Sequence, residues 1–292
     1  MRRVLLVAMA LAAAPIGCAP SPKPALPILD SSLPPVPSTC AQGQGRYDST
    51  QLAPPVDGNI AFLLGQQWEI FGKQEVRYPP DAAVGEVTRK GSDEAVMWRY
   101  VQNYHLASCD RVSQATIANP DENDRIAWSA YFISWVMVNA GVPPTAFHAS
   151  GYHSEYLQYM YAAQQANTPT AKFILHEPGA YSPKVGDLVC AKRKWTEKAK
   201  EVVPVRIGKF KEGDSFYPTH CDIVVAVDRQ KGFLHAIGGN VQNSVSRSEF
   251  SIDGQGRLIM PKDENTAARP WFAVAENRYF PSPSLALSQP HN

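Results

Sequence analysis

Ala127-Trp128-Ser129-Ala130-Tyr131-Phe132-Ile133-Ser134-Trp135 and, far downstream, Thr219-His220-Cys221-Asp222-Ile223-Val224-Val225 carry the two clearest structural signals in the chain. The first reads as a helix opening. Pro120-Asp121-Glu122-Asn123-Asp124 supplies an acidic start, Trp128, Phe132, Trp135 and Val136 follow at helical spacing, and Gly141-Val142-Pro143 ends the run. The second reads as a strand, an apolar run that starts at a polar Thr-His step.

Working outward, two more helices are expected upstream. One starts at Asn59 and carries Ile60, Leu63, Leu64, Trp68 and Phe71 on one face before Gly72. The other follows Gly91, with Ser92 as cap and Met97, Tyr100, Val101 and Tyr104 inward. A fourth helix is expected over roughly His153–Ala166. After Pro183 the pattern changes to short apolar runs bounded by Gly, Pro and Asp: Asp187–Ala191, Cys221–Val227, Phe233–Ile237 and Trp271–Ala275. Helices first and strands afterwards predict an α+β fold, with N-terminal helices packed on a small antiparallel β-sheet.

The chain around this body divides into recognisable segments. Arg2 and Arg3 precede an apolar run, Val4–Ala14, that is too short to span a bilayer and reads as an export signal. Ile16-Gly17-Cys18 resembles a lipobox, which implies acylation of Cys18. Pro15 stands where leucine is usual, and cleavage near Ala14 without lipid is the alternative. Residues 19–56 are rich in proline and lack apolar periodicity, so they read as a tether. Residues 57–281 are expected to form a single domain, with 282–292 as a tail. A net charge of +1 lacks the basic footprint of a nucleic-acid binder. The basic stretch Lys192–Asp214 reads as a solvated loop.

Setting Cys18 aside leaves four cysteines, Cys40, Cys109, Cys190 and Cys221. Cys190 and Cys221 are the expected pair, because each lies near a strand start and antiparallel neighbours put a cross-strand bridge within reach; two buried thiols are the alternative. No CxxC or HExxH spacing is present, so no metal or other cofactor is expected.

A nucleophilic centre needs a hydroxyl or thiol at a helix N-terminus, a histidine within reach and a third group orienting that histidine. Ser129 at a helix start, His220 at a strand start and Asn240 in Gly238-Gly239-Asn240 can supply them. Cys221, next to His220 on a strand, points to the opposite face. Trp128, Tyr131 and His153 are expected to line a substrate groove, Asp187 to orient a sheet edge or bind a substrate amine, and Arg193 to pair with a substrate carboxylate.

Trp128–Trp135, Gly186-Asp187-Leu188-Val189 and His220–Val224 occur in the order found in the NlpC/P60 and CHAP cell-wall hydrolases, and the chain more closely resembles the DUF2272 family over roughly Ala61–Asn277. The resemblance implies a papain-like fold and cleavage of an amide bond in peptidoglycan, with the nucleophile at Ser129, where the hydrolases carry cysteine, the base at His220 and the third residue at Asn240. The expectation is a cell-envelope hydrolase, membrane-anchored through its lipid and facing the periplasm, with peptidoglycan or another envelope polymer as partner. The alternative is a non-catalytic envelope-binding module on the same fold.

Overall fold

The apolar run that begins at Thr219 becomes a strand near the middle of an eight-stranded sheet. In the computed structural model the elements run α1 (Asn59–Ile70), β1 (Gln74–Tyr78), β2 (Glu86–Arg89), α2 (Trp98–Leu106), α3 (Ser129–Asn139), α4 (His153–Gln165), β3 (Phe173–His176), β4 (Leu188–Lys192), β5 (Thr219–Asp228), β6 (Phe233–Val241), β7 (Ser244–Ser251) and β8 (Trp271–Asn277). The structure describes residues 59–108, 127–168, 171–193, 206–207 and 217–279. The export signal, Cys18, the tether, Cys40, Cys109, the acidic start at 120–124, most of the basic stretch and the tail lie outside these residues.

The strand order is β2-β1-β7-β6-β5-β4-β8-β3, with β1 and β7 parallel and the other neighbours antiparallel. This corrects the expected architecture. The protein is a mostly β fold, a mixed eight-stranded sheet with four helices among the described residues, and not a papain-like arrangement of N-terminal helices on a small antiparallel sheet. Two strands, β1 and β2, precede α2, so the helix-then-strand order does not hold.

Four strands, β1, β2, β3 and β7, lie outside the expected runs, and two of them carry no apolar period. β2 is exposed at every position and has no buried face to imprint on the sequence. In β7 the inward positions include Ser244, Ser246 and Ser248, all buried. Ser244 and Ser246 are held by hydrogen bonds rather than by apolar contact: Ser244 Oγ donates to Ser92 O (2.7 Å), Ser246 Oγ to Val241 O (2.8 Å), and Gln74 Nε2 on β1 to Ser246 Oγ (2.9 Å). A strand held by long-range polar bonds leaves no hydrophobic period. The same contacts shorten α2. Ser92 N bonds Phe71 O and Glu94 N bonds Asn243 O, so the helix starts at Trp98 instead of after Ser92.

The middle of the sheet is buried on both faces, which explains why β4 and β5 read as continuous apolar runs. On one face Cys190, Cys221, Ile223 and Ile237 meet Leu64, Phe132, Ile133 and Leu157 of the helices. On the other, Val189, Ala191 and Val224 pack with Val76, Leu234, Phe250 and Trp271. The period-2 alternation therefore sends Cys221 toward the helices and His220 and Asp222 the other way. Cys190 and Cys221, paired in register on β4 and β5, are joined by a disulfide.

Candidate functional site

Ser129 is the first residue of α3, where the unpaired N–H groups of the first turn and the helix dipole favour negative charge. The preceding Trp128 anchors this end. It is buried against Phe71 and Tyr104, and its indole N–H donates to Glu94 Oε2 (2.6 Å). Gly239 on β6 lets the turn sit close to the sheet, because a Cβ there would lie 2.5 Å from Phe132 Cβ and 2.8 Å from the Trp128 ring.

The imidazole that reaches Ser129 is that of His153, the first residue of α4. Ser129 Oγ and His153 Nε2 are 2.7 Å apart, and both residues are buried. One turn lower in α3, Ser134 clamps the approach to α4: its hydroxyl donates to Ser150 O (2.8 Å) and accepts from Ser150 N (2.9 Å). Ser150 in turn accepts from Tyr152 N (2.9 Å) and bonds Glu155, closing the first turn of α4. Gly151 fits between because a Cβ there would lie 2.3 Å from the Tyr131 ring. On the far side of His153, Nδ1 bonds the hydroxyl of Tyr156, three residues along the same helix face.

His220 forms a second pair. Arg193 Nη2 donates to His220 Nδ1 (3.2 Å), and since a guanidinium offers only donors, the ring proton sits on Nε2 and is donated to Asp222 Oδ1 (2.8 Å). Two strand residues apart, His220 and Asp222 share one face. Gly238 on the adjacent strand makes room for the carboxylate, since a Cβ there would lie 1.7 Å from Asp222 Oδ1. The two imidazole rings are 5.3 Å apart, edge to face.

Burial dominates the electrostatics. It pushes His153 well below the ordinary imidazole value, with His220 and Arg193 adding in the same direction. It also pushes His220 down to about 4, although Asp222 opposes the shift. Burial raises Asp222, but His220, Arg269 and Arg193 outweigh it and hold the carboxyl below its usual range. Both histidines are thus neutral and Asp222 is ionised around neutral pH. When the Nδ1 proton of His153 is donated to Tyr156, the Nε2 lone pair is left to accept the Ser129 hydroxyl proton.

The structure thus brings together Ser129, His153, His220 and Arg193 of the expected residues. Both ring nitrogens of His220 are engaged by Asp222 and Arg193. Asn240 is half-buried in β6 next to the β6–β7 turn, at φ 55°. Asp187 accepts from Lys184 N (2.8 Å) and Asn277 N (2.9 Å), tying the turn before β4 to the end of β8, and burial raises its carboxyl to about 6. Tyr131 stacks on His105 with centroids 4.0 Å apart. Asp222 and Tyr156 are partners that the sequence reading did not assign; their signals are the i+2 strand spacing from His220 and the i+3 helix spacing from His153. Among the described residues no group of three or more His, Cys, Asp or Glu is placed to hold a metal ion.

Fold and site together define a mostly β protein in which a buried serine–histidine pair at two helix starts adjoins a buried histidine–aspartate pair on the sheet. The chain belongs to the DUF2272 family, described as "Uncharacterized protein conserved in bacteria", whose model matches residues 91–276. That span holds every residue of the site. No curated protein and no solved structure matches the chain.

Proposed function

We propose that this protein is an exported cell-envelope hydrolase that cleaves an amide bond in peptidoglycan, with Ser129 as nucleophile and His153 as general base. The observation that carries the reading is the 2.7 Å contact of Ser129 Oγ with His153 Nε2 at the N-terminus of α3. Ser129 attacks the carbonyl carbon while its proton passes to His153 Nε2; Tyr156 holds Nδ1 and with it the ring orientation. In this reading the first-turn N–H groups of α3 donate to the developing oxyanion, and His153 then returns the proton to the leaving amine. Water repeats the cycle on the ester.

The envelope assignment is supported by Arg2-Arg3 followed by the apolar run Val4–Ala14 and by Cys18 in the lipobox-like Ile16-Gly17-Cys18. No described helix is long and apolar enough to cross a membrane. A second reading, an envelope-binding module without turnover, is favoured by the 3% exposure of Ser129.

Mass spectrometry of fragments released from purified peptidoglycan by the full chain separates the two. Fragments that vanish with both Ser129→Ala and His153→Ala are expected. Cosedimentation with peptidoglycan but no released fragments would replace the hydrolase with the binding module.

A further inference from the structure

Behind the two histidines lies a charge imbalance that the chemistry at Ser129 does not use. Arg193, His220, Asp222 and Arg269 form a continuous row: Arg193 to His220 at 3.2 Å, His220 to Asp222 Oδ1 at 2.8 Å, and Arg269 Nη2 to Asp222 Oδ2 at 3.9 Å. With His220 neutral, two guanidiniums face one carboxylate. The remaining contacts of Arg269 are neutral, namely the Tyr78 hydroxyl (3.2 Å), the Ala268 carbonyl (3.5 Å) and the Tyr78 and Phe250 rings. The adjacent Lys192 is already matched by Glu264. Among the described residues the row therefore carries one positive charge in excess.

Its hydrogen bonds are also incomplete. Arg269 Nε and Asp222 Oδ2 are buried and have no hydrogen-bond partner among the described residues. An uncompensated cation in a partly desolvated setting is costly, and an anion that docks on it offsets that cost. His220 and Asp222 are fully enclosed, whereas Arg193 and Arg269 are partly buried, the Arg269 side chain keeping 11% of its surface exposed.

We propose that Arg193 and Arg269 form a carboxylate-binding subsite, so that the substrate of the Ser129 site carries a free carboxylate. The inference rests on the hydrolase reading for its link to Ser129. A planar monoanion matches both the guanidinium fork and the single excess charge, and a dianionic phosphate matches neither as well. Arg193 touches His220, whose ring lies 5.3 Å from that of His153, which touches Ser129. Through these contacts the row adjoins the Ser129 site, so the carboxylate is assigned to the molecule whose amide is attacked.

The test is calorimetric titration of the full chain bearing Ser129→Ala with N-acetyl-dialanine, as the acid and as the carboxamide, with inorganic phosphate as a further probe. The acid is expected to bind about 10- to 100-fold more tightly than the carboxamide, the range of one or two charge-assisted hydrogen bonds. Arg269→Gln should abolish the preference. Because Arg269 also packs on two rings, Arg193→Gln provides a second variant, with circular dichroism to verify folding. Equal affinity for acid and carboxamide, no binding of either, or tighter binding of phosphate overturns the subsite. Acid-selective binding without fragment release by the parent protein overturns the hydrolase and leaves the subsite standing; fragment release without acid selectivity does the reverse.

Discussion

Gly238→Ala probes whether the His220–Asp222 pair is built by the space that glycine leaves. The new methyl would sit 1.7 Å from Asp222 Oδ1 and 2.8 Å from its Cγ, so the carboxylate must move. Asp222 is fully buried and short, and any rotation that clears the methyl breaks its 2.8 Å bond to His220 Nε2. A hydrogen bond to a charged group contributes about 1.5–3 kcal/mol, and overpacking costs about 1–3 kcal/mol. Replacing glycine in a strand returns about 0.5–1 kcal/mol. The expected net loss is about 2–5 kcal/mol.

The assay is urea unfolding of the full chain at pH 7, read by tryptophan fluorescence and arranged as a double-mutant cycle with Asp222→Ala. Once the carboxylate is gone, the nearest remaining neighbour of the methyl is Val241 Cγ2 at 3.4 Å, an ordinary contact. Gly238→Ala should then cost less than about 1 kcal/mol, leaving a coupling energy of about 1 kcal/mol or more. Equal costs in both backgrounds would refute the reasoning, because the strain would then come from the strand and not from the carboxylate.

Two further outcomes follow from the buried groups and the cross-strand bond. His153 and His220 have folded pKa values below the ordinary imidazole value, so the unfolded chain takes up their protons first, and the stability they contribute is present above pH 6.5 and is lost as pH falls, through about 4 for His220. Asp187, raised to about 6, works the other way, since its contribution is present at low pH and lost as pH rises through that value. Two histidines outweigh one aspartate, and the urea midpoint should be lower at pH 5 than at pH 7; an equal or higher midpoint at pH 5 would show that the imidazoles are not buried neutral. The Cys190–Cys221 bond closes a loop with a sequence separation of 31, so replacing both cysteines by alanine should cost about 2–4 kcal/mol in the same assay. A loss below about 0.5 kcal/mol, the scatter of a surface substitution, would show that the bond does not constrain the unfolded chain.

Part of the site was legible because its spacing is local. The starts of α3 at Ser129 and α4 at His153, the strands β4, β5, β6 and β8, and the opposite facing of Cys221 and His220 all follow from periods of 3.6 and 2. In the sequence Gly238 and Gly239 stand out only as the pair before Asn240. In the structure they lie within β6, where one admits a carboxylate and the other a helix end.

From the sequence came the four helices, the strands β4, β5, β6 and β8, and which side chains share a face within one element, but not β3, although Phe173 and Leu175 give it a buried apolar face. Only the tertiary structure decided that polar β1, β2 and β7 join the sheet, that Ser129 meets His153, and that His220 turns to Asp222 and Arg193. The physical reason is the same in each case. These choices rest on single hydrogen bonds between residues far apart in the chain, such as Gln74 to Ser246 and Arg193 to His220, and such bonds impose no period on the sequence around them.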